Sequence, residues 1–338
     1  MTICYCADME KPKTLQEAIQ HFSDEQVCID AVAKMRWPDG AQCPACNAKE
    51  PYYLKTQKRF KCRDCRRQFS VKLGTIFEDS PIPLQKWLPA MWMLTNCKNG
   101  VSSWEIHRAL GITQKSAWFM LHRLRLAMKA DFGYGPMNKI GGSGSKVEVD
   151  EAFFGGKMGN MHRDKRERYA AVSGHTGGAT GKTIVVGMLD RDAREVRAKM
   201  VPDTKRETLQ AEILKNVKFG SAVYTDNAVP YDNLNWKYVH EVVDHSQEYV
   251  RGQVHTNGLE NFWSLFKRHL RGTYVAVEPF HLDRYLDEQV FRFNNRQKPM
   301  DDYARFEKVL GQVAHKRLTY AELTGKTEDA KTTTPEPF

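Results

Sequence analysis

Residues 147–157 read VEVDEAFFGGK. The run is β-branched and apolar, and two glycines close it, so it reads as a strand. Side chains alternate across a strand. Val147, Val149 and Glu151 therefore share one face, and Glu148, Asp150 and Ala152 share the other. A carboxylate inside a sheet domain is costly unless it is paired, hydrogen-bonded or metal-bound. Further runs of the same kind follow: RYAAVSGH (168–175), TIVVGMLDR (183–191) and EVRAKMVP (195–202). TKRETLQAEILKNV (204–217) reads as a helix, and SAVYTDNA (221–228) and KYVHEVVDH (237–245) are again strand-like. Several strands before the first helix predict antiparallel hairpins leading into a mixed sheet, an α/β domain. Asp226 ends the run AVYTDN as Asp150 ends VEVD. Taken singly, each aspartate reads as a strand-end residue capping the next turn.

Upstream lies FGYGPMNKIGGSGSK (132–146), a Gly- and Ser-rich linker. Before it, residues 84–130 carry helical periodicity. VSSWEIHRALGITQKSAWFMLHRLRLAMK (101–129) reads as helix–turn–helix, with Ser102 and Glu105 as a capping box and Gly111 at the turn. Ala117, Leu121, Leu124 and Met128 face a core. Lys115, His122, Arg123 and Arg125 are expected on other faces, in reach of a groove or of phosphates. CPAC (43–46) and CRDC (62–65) pair into C-x2-C…C-x2-C, the spacing of a closed tetrahedral zinc site on Cys43, Cys46, Cys62 and Cys65. Residues 55–72 hold eight Lys or Arg against Asp64 alone, which suits a nucleic-acid contact; the alternative is a ribbon that only staples the fold. Residues 14–36 read as amphipathic helix. The ending GKTEDAKTTTPEPF is polar and expected to be disordered.

Composition limits the possible partners. Lys and Arg outnumber Asp and Glu by 51 to 41 in 338 residues, a net charge of +10. That balance favours a polyanion such as nucleic acid. The start, MTICYCADMEK, has no apolar signal core, and WLPAMWML (87–94) is too short to span a bilayer. A cytoplasmic, reducing location is expected, where eight cysteines serve as metal ligands or buried thiols rather than disulfides.

HTNGLENFWSLFKRHLRG (255–272) is the third candidate stretch. On a helical wheel Leu259, Phe262, Trp263, Phe266 and Leu270 form one stripe, a core signature. Asn257, Glu260, Ser264, Lys267 and Arg271 lie beside or opposite it. Asn257 with Glu260 matches a helix cap of the N-x-x-E kind. Alternatively Glu260, at the stripe's edge, faces inward as the third oxygen ligand beside Asp150 and Asp226. Such a set suits Mg²⁺ or Mn²⁺.

These three motifs, in this order, resemble the bacterial insertion-sequence transposases that join an N-terminal zinc ribbon to an RNase-H-like DDE domain (ISXO-like transposases, relatives of the eukaryotic Merlin elements). The resemblance covers residues 20–300. It implies a mixed RNase-H-like sheet with flanking helices, preceded by the ribbon and a helix–turn–helix-like module. With the pattern breaks above, the chain divides into helices at 14–36, a zinc ribbon at 37–76, the helical module at 84–130, a linker at 131–146, the expected catalytic domain at 147–300 and an extension at 301–338. The resemblance also implies metal-dependent DNA cleavage and strand transfer, with double-stranded DNA as partner, a homodimer as the working state and a nucleoid-associated location. Asp150 and Asp226 match the first two catalytic positions. Glu260, followed by Lys267, matches the third, with Asn257 as the other candidate. Lys267 then holds a DNA phosphate or end base. Lys157, Arg163, Lys165, Arg166 and Arg168 form a basic run after the first aspartate, and Arg268 and Arg271 extend the basic helix face; all are expected to contact DNA. The competing readings are a non-catalytic DNA-binding regulator and a metal-dependent nuclease without strand transfer.

Overall fold

The structure is a computed structural model that describes residues 11–130, 138–156, 162–164, 166–167, 181–226, 229–231, 234–243 and 255–326. The chain divides into two compact units. One holds the described residues up to Lys129 and those from Asn295 onward; the other holds those between.

In the first unit, α1 (Leu15–His21) and α2 (Glu25–Arg36) start at side-chain caps on Thr14 and Asp24. A small antiparallel sheet follows, with β1 (Tyr52–Leu54), β2 (Arg59–Lys61) and β3 (Gln68–Phe69) in that order. Phe60 and Phe69 stack in its core with centroids 5.5 Å apart, and the Trp37 ring meets both edge-on. Next come α3 (Leu84–Asn96), α4 (Ser103–Leu110) and α5 (Gln114–Met128). The capping box of Ser102 and Glu105 opens α4, Gly111 closes it in the left-handed region (φ 60°), and Thr113 caps α5.

The second unit is built on five strands: β4 (Lys146–Phe154), β5 (Thr183–Asp190), β6 (Glu195–Val201), β7 (Ala222–Asp226) and β8 (Val239–Val243). Their spatial order is β6-β5-β4-β7-β8. The first three run antiparallel, and β7 and β8 run parallel to β4. This is the mixed sheet that the strand pattern predicts, in the RNase-H-like form that the resemblance implies. The helix α6 (Arg206–Asn216) covers one face, where Leu209 and Ile213 meet Val147, Val149, Val186 and Val223. The helices α7 (Asn257–His269) and α8 (Leu282–Asn294) cover the other, where Leu259, Phe262, Trp263 and Phe266 meet Ala152, Phe154 and Val185. The alternation read from VEVDEAFF thus separates the two cores: the valines point to α6, and Asp150 and Ala152 point to α7.

The chain then returns to the first unit, with α9 (Asp302–Leu310) packed on α3 and α5 and a short α10 (Tyr320–Leu323). Its return corrects one expectation. Arg123 and Arg125 do not present themselves to a groove. Arg123 is buried, and its guanidinium donates to the carbonyls of Leu318, Ile76 and Glu78 at 2.7–3.0 Å. Arg125 and His122 are buried as well. The face that helical periodicity leaves polar is covered here by the turn at 76–78 and the segment around 318. Lys115 stays exposed, its ammonium 4.6 Å from the Tyr320 ring centroid.

Candidate active site

In the first unit the four cysteines converge. The sulfurs of Cys43, Cys46, Cys62 and Cys65 all lie within 4.8 Å of one another. Cys43 Sγ is 3.7 Å from Cys65 Sγ, and Cys46 Sγ is 3.5 Å from Cys62 Sγ. A tetrahedral Zn²⁺ with Zn–S bonds of about 2.3 Å sets its sulfurs about 3.8 Å apart. The donor set therefore fits a structural zinc, and the two hairpin turns that carry it are the ones the C-x2-C spacing implies.

The second unit presents an open pocket of about 730 Å³ between β4 and α7. Asp150, Glu151 and Glu260 supply its acidic wall, and Lys267, Arg268 and Arg271 its basic wall. Ala152, Trp263, Ser264 and Gly272 complete the lining. Successive lysine, arginine and glutamate positions on one amphipathic helix bring this about. With Leu259, Phe262, Trp263 and Phe266 buried, the helix turns Glu260, Ser264 and Lys267 to its exposed side. Lys267 Nζ stands 5.8 Å from the Phe154 ring centroid.

Asp226 does not line this pocket, but the sheet places it beside Asp150. The parallel register pairs Lys146 with Ala222, Val147 with Val223 and Glu148 with Tyr224. Asp150 and Asp226 come two residues further along these neighbouring strands, which run about 4.8 Å apart. Burial pushes the Asp150 carboxyl up from 3.8 to about 6; the charges of Asp226 and Glu260 add to the rise, and hydrogen bonds from Glu151 N–H and the Trp263 indole oppose it. Burial likewise raises Glu151, to about 7, with Tyr231 opposing and Asp226 and Asp150 adding to the rise. Mutual repulsion of half-buried oxygens is relieved by a hard divalent cation, so these groups fit one. They do not gather as the cysteines do: among the described residues, the four cysteines alone form a group of three or more side chains close enough to hold a metal ion.

Two further groups fix the pocket, and neither is among the candidates read from the sequence. The first is Glu148, two residues before Asp150 on the same strand face. Its buried carboxylate accepts from Leu259 N–H at 2.9 Å and from Arg191 Nε at 2.6 Å. Leu259 is the third residue of α7, so Glu148 caps that helix from another strand. Arg191 also donates to His255 Nδ1 at 2.7 Å and to the His255 carbonyl. Burial and the Arg191 charge lower His255, which keeps Nδ1 a neutral acceptor. The cap reading of Asn257 is corrected here. Thr256 is the N-cap, no side chain on the helix caps it, and Asn257 is the first helical residue, exposed and outside the pocket lining. Gly258 makes the approach possible, because a Cβ there would lie 2.9 Å from Glu148 Oε2 and 2.3 Å from Leu189 Cδ2.

The second group is Trp263 with Gly187. Gly187 pairs with Asp150 across β4 and β5. A Cβ at Gly187 would meet Trp263 Cζ2 at 2.6 Å and Cη2 at 2.9 Å. The indole fills that space, and its Nε1 donates to Asp150 Oδ2 at 3.0 Å.

Of the basic run after Asp150, Arg163 and Arg166 are exposed, and Arg163 pairs with Glu167 at 2.7 Å. Lys157, Lys165 and Arg168 lie outside the described residues, as do the strand expected at 168–175 and the chain from 327 onward. Among the described residues no helix is long and apolar enough to cross a membrane.

Comparison with known proteins matches both parts of the chain. Residues 141–294 match the ISXO2-like transposase domain, and residues 23–68 match the transposase zinc-ribbon domain. An uncharacterised protein in the transposable element ISH50 of Halobacterium salinarum is 28% identical over 292 residues, 83% of this chain and 95% of its own length. An uncharacterised transposase-like protein of Haemophilus influenzae is 35% identical over 99 residues, 29% of this chain and 80% of its own length. A chain in the cryoEM structure of the simian T-cell lymphotropic virus intasome in complex with PP2A regulatory subunit B56 gamma is 14% identical. The match covers 59% of this chain and 62% of that one, with a TM-score of 0.26, too low to carry an argument. On the two domain matches and the shared length of these relatives, the chain belongs to the family of ISXO2-like insertion-sequence transposases with a zinc ribbon and a DDE domain.

Proposed function

We propose that this protein is a DNA transposase that cleaves the ends of its element and joins them to new DNA, with Asp150, Asp226 and Glu260 as its catalytic carboxylates. The observation that carries this reading is the pocket between β4 and α7, where Asp150 and Glu151 of β4 and Glu260 of α7 meet Lys267, Arg268 and Arg271. A phosphodiester needs both. Lys267, Arg268 and Arg271 hold the scissile phosphate and offset charge on its oxygens. The catalytic carboxylates face the attacking oxygen. Mg²⁺ or Mn²⁺ held by them would activate that oxygen and stabilise the leaving one. In cleavage, water oxygen bonds to phosphorus as the ester bond to the 3′ oxygen breaks, which leaves a 3′-OH. In joining, that 3′-OH attacks a target phosphate, and one ester bond replaces another.

The exposed basic residues of the ribbon and Lys115 support a second contact with the duplex. A homodimer would hold the two ends together, and the nucleoid of the cytoplasm is the location where this substrate is found. The test is a cleavage and joining assay on DNA that borders the coding sequence, with and without Mg²⁺. Asp150→Ala, Asp226→Ala and Glu260→Ala should abolish both steps while binding persists. Activity kept in Glu260→Ala and lost in Asn257→Ala would move the third position to Asn257. Cleavage without joining would make the protein a nuclease, and binding without cleavage a regulator.

A further inference from the structure

The end of α7 carries a strained, exposed apolar tip. After Leu270–Tyr274, a π-helical turn, the chain reverses at Val275 with φ 60° and ψ −58°. Ala276 N–H closes the reversal on the Tyr274 carbonyl at 2.7 Å. This is a γ-turn of the rare positive-φ form. A β-branched residue there is a genuine outlier, whereas glycine adopts the conformation freely. Packing does not explain the valine, because Val275 is 77% exposed, the highest value among the large apolar residues described as exposed. Both flanks are anchored. The Tyr274 ring meets Tyr285 at 4.7 Å and its hydroxyl donates to Glu288, while Val277 packs on the core. The tip is therefore stiff. It also stands next to the basic wall, since Arg271 and Gly272, four and three residues earlier, line the pocket. Backbone strain held in place at a pocket rim points to a function at that rim.

Resting on the transposase reading above, we propose that Val275 is a wedge: it enters the duplex at the step next to the scissile phosphate and parts the flanking bases. The arrangement matches what such a step needs. Arg268 and Arg271 take the phosphates, which fixes the duplex, and an apolar side chain on a rigid turn is presented to the bases. Proteins that kink DNA insert apolar side chains between base steps in this way. Charge complementarity selects DNA as the occupant over a second copy of the chain, which would have to cover the same arginines.

The experiment uses the full chain bound to a duplex of the bordering DNA with Ca²⁺ in place of Mg²⁺, and reads permanganate oxidation of thymines at the junction. The wild-type protein should raise thymine reactivity there. Val275→Gly keeps the turn and removes the wedge; it should bind the duplex but lose the signal, and Val275→Leu should keep it. In Mg²⁺, cleavage by Val275→Gly should fall about tenfold or more on a paired duplex, the scale of an unstacking cost, and recover on one mismatched at the junction. Unchanged reactivity in Val275→Gly, no reactivity with the wild type, or a loss of cleavage that mismatches do not restore would overturn the wedge. So would a loss of self-association in Val275→Gly with reactivity unchanged, which would make the tip a contact between copies. Reactivity without any wild-type cleavage would instead overturn the catalytic reading and leave the wedge standing.

Discussion

Asp150 ties a single residue to the behaviour of the folded state. Its carboxyl titrates at about 6 rather than 3.8, because burial first and then the Asp226 and Glu260 charges penalise ionisation. Glu151 beside it titrates at about 7 rather than 4.5, again from burial first. In the unfolded chain both groups return to ordinary values. Between about pH 4 and 7 the folded protein therefore binds more protons than the unfolded one, so these groups make the metal-free protein less stable as pH rises through that window. For Asp150 the change from 3.8 to about 6 corresponds to about 3 kcal/mol, fully felt above both values. Asp150→Asn keeps an acceptor for the Trp263 indole and removes the charge. In magnesium-free buffer with zinc present, it should melt higher than wild type at pH 7.5 and no higher near pH 4. Melting at or below wild type at pH 7.5 would show that the site is not strained by its own charge. The strand pattern of VEVDEAFF puts Asp150 on the face opposite Val147 and Val149 without any structure. It does not reveal that Glu148, on the same face, caps α7, because the bonded N–H belongs to Leu259, 111 positions away.

At the scale of elements, the site depends on how closely α7 lies on β5. The apolar stripe of α7 is legible in the sequence, and Leu259, Phe262, Trp263 and Phe266 are all buried. The distance to the sheet is not legible, since it is set by a missing side chain. Gly187 sits in the middle of β5 with no positive φ to demand glycine, and its role appears only when Trp263 is seen in its place. The polar face of α5 shows the same limit. Periodicity places Arg123 away from the helical core, but only the tertiary fold shows carbonyls from two other segments meeting it. Gly187→Ala should therefore push Trp263 outward and carry α7 with it, at a cost of about 1–3 kcal/mol, the usual penalty for overpacking. The indole would leave Asp150, and Glu260 would shift relative to Asp150 and Glu151 on β4. DNA joining should fall by at least tenfold, a larger effect than the stability loss explains at a temperature well below melting. Joining at the wild-type rate, with a lower melting temperature, would show that the α7 mount matters for folding alone.

At the scale of the whole molecule, the first unit is assembled from two stretches separated in sequence by the whole second unit. By pattern alone 301–338 reads as an extension, because nothing in it names the surface it covers. The structure puts Phe306, Val309, Leu310, Val313, Leu318 and Leu323 in buried positions. Ile76 N–H donates to the Val313 carbonyl at 3.0 Å, and His315 N–H donates to the Gly74 carbonyl at 2.9 Å. Thr75 and Ala314 form an antiparallel bridge between them. Arg123 Nε completes the seam on the Leu318 carbonyl at 2.9 Å. A chain cut after residue 300 loses all of this. Six buried apolar side chains at about 1.5–3 kcal/mol each amount to about 9–18 kcal/mol. That matches or exceeds the ~5–15 kcal/mol that holds a typical domain together. It also leaves the Arg123 guanidinium with one carbonyl fewer. The truncated chain should therefore keep its four zinc thiolates and all of α1–α5 yet lose cooperative melting of the first unit, with rapid proteolysis between residues 70 and 130. A chain ending at 326 should melt like the full protein. If cutting at 300 left the melting and the protease pattern of residues 11–129 unchanged, the returning segment would be a passenger on a unit that folds without it.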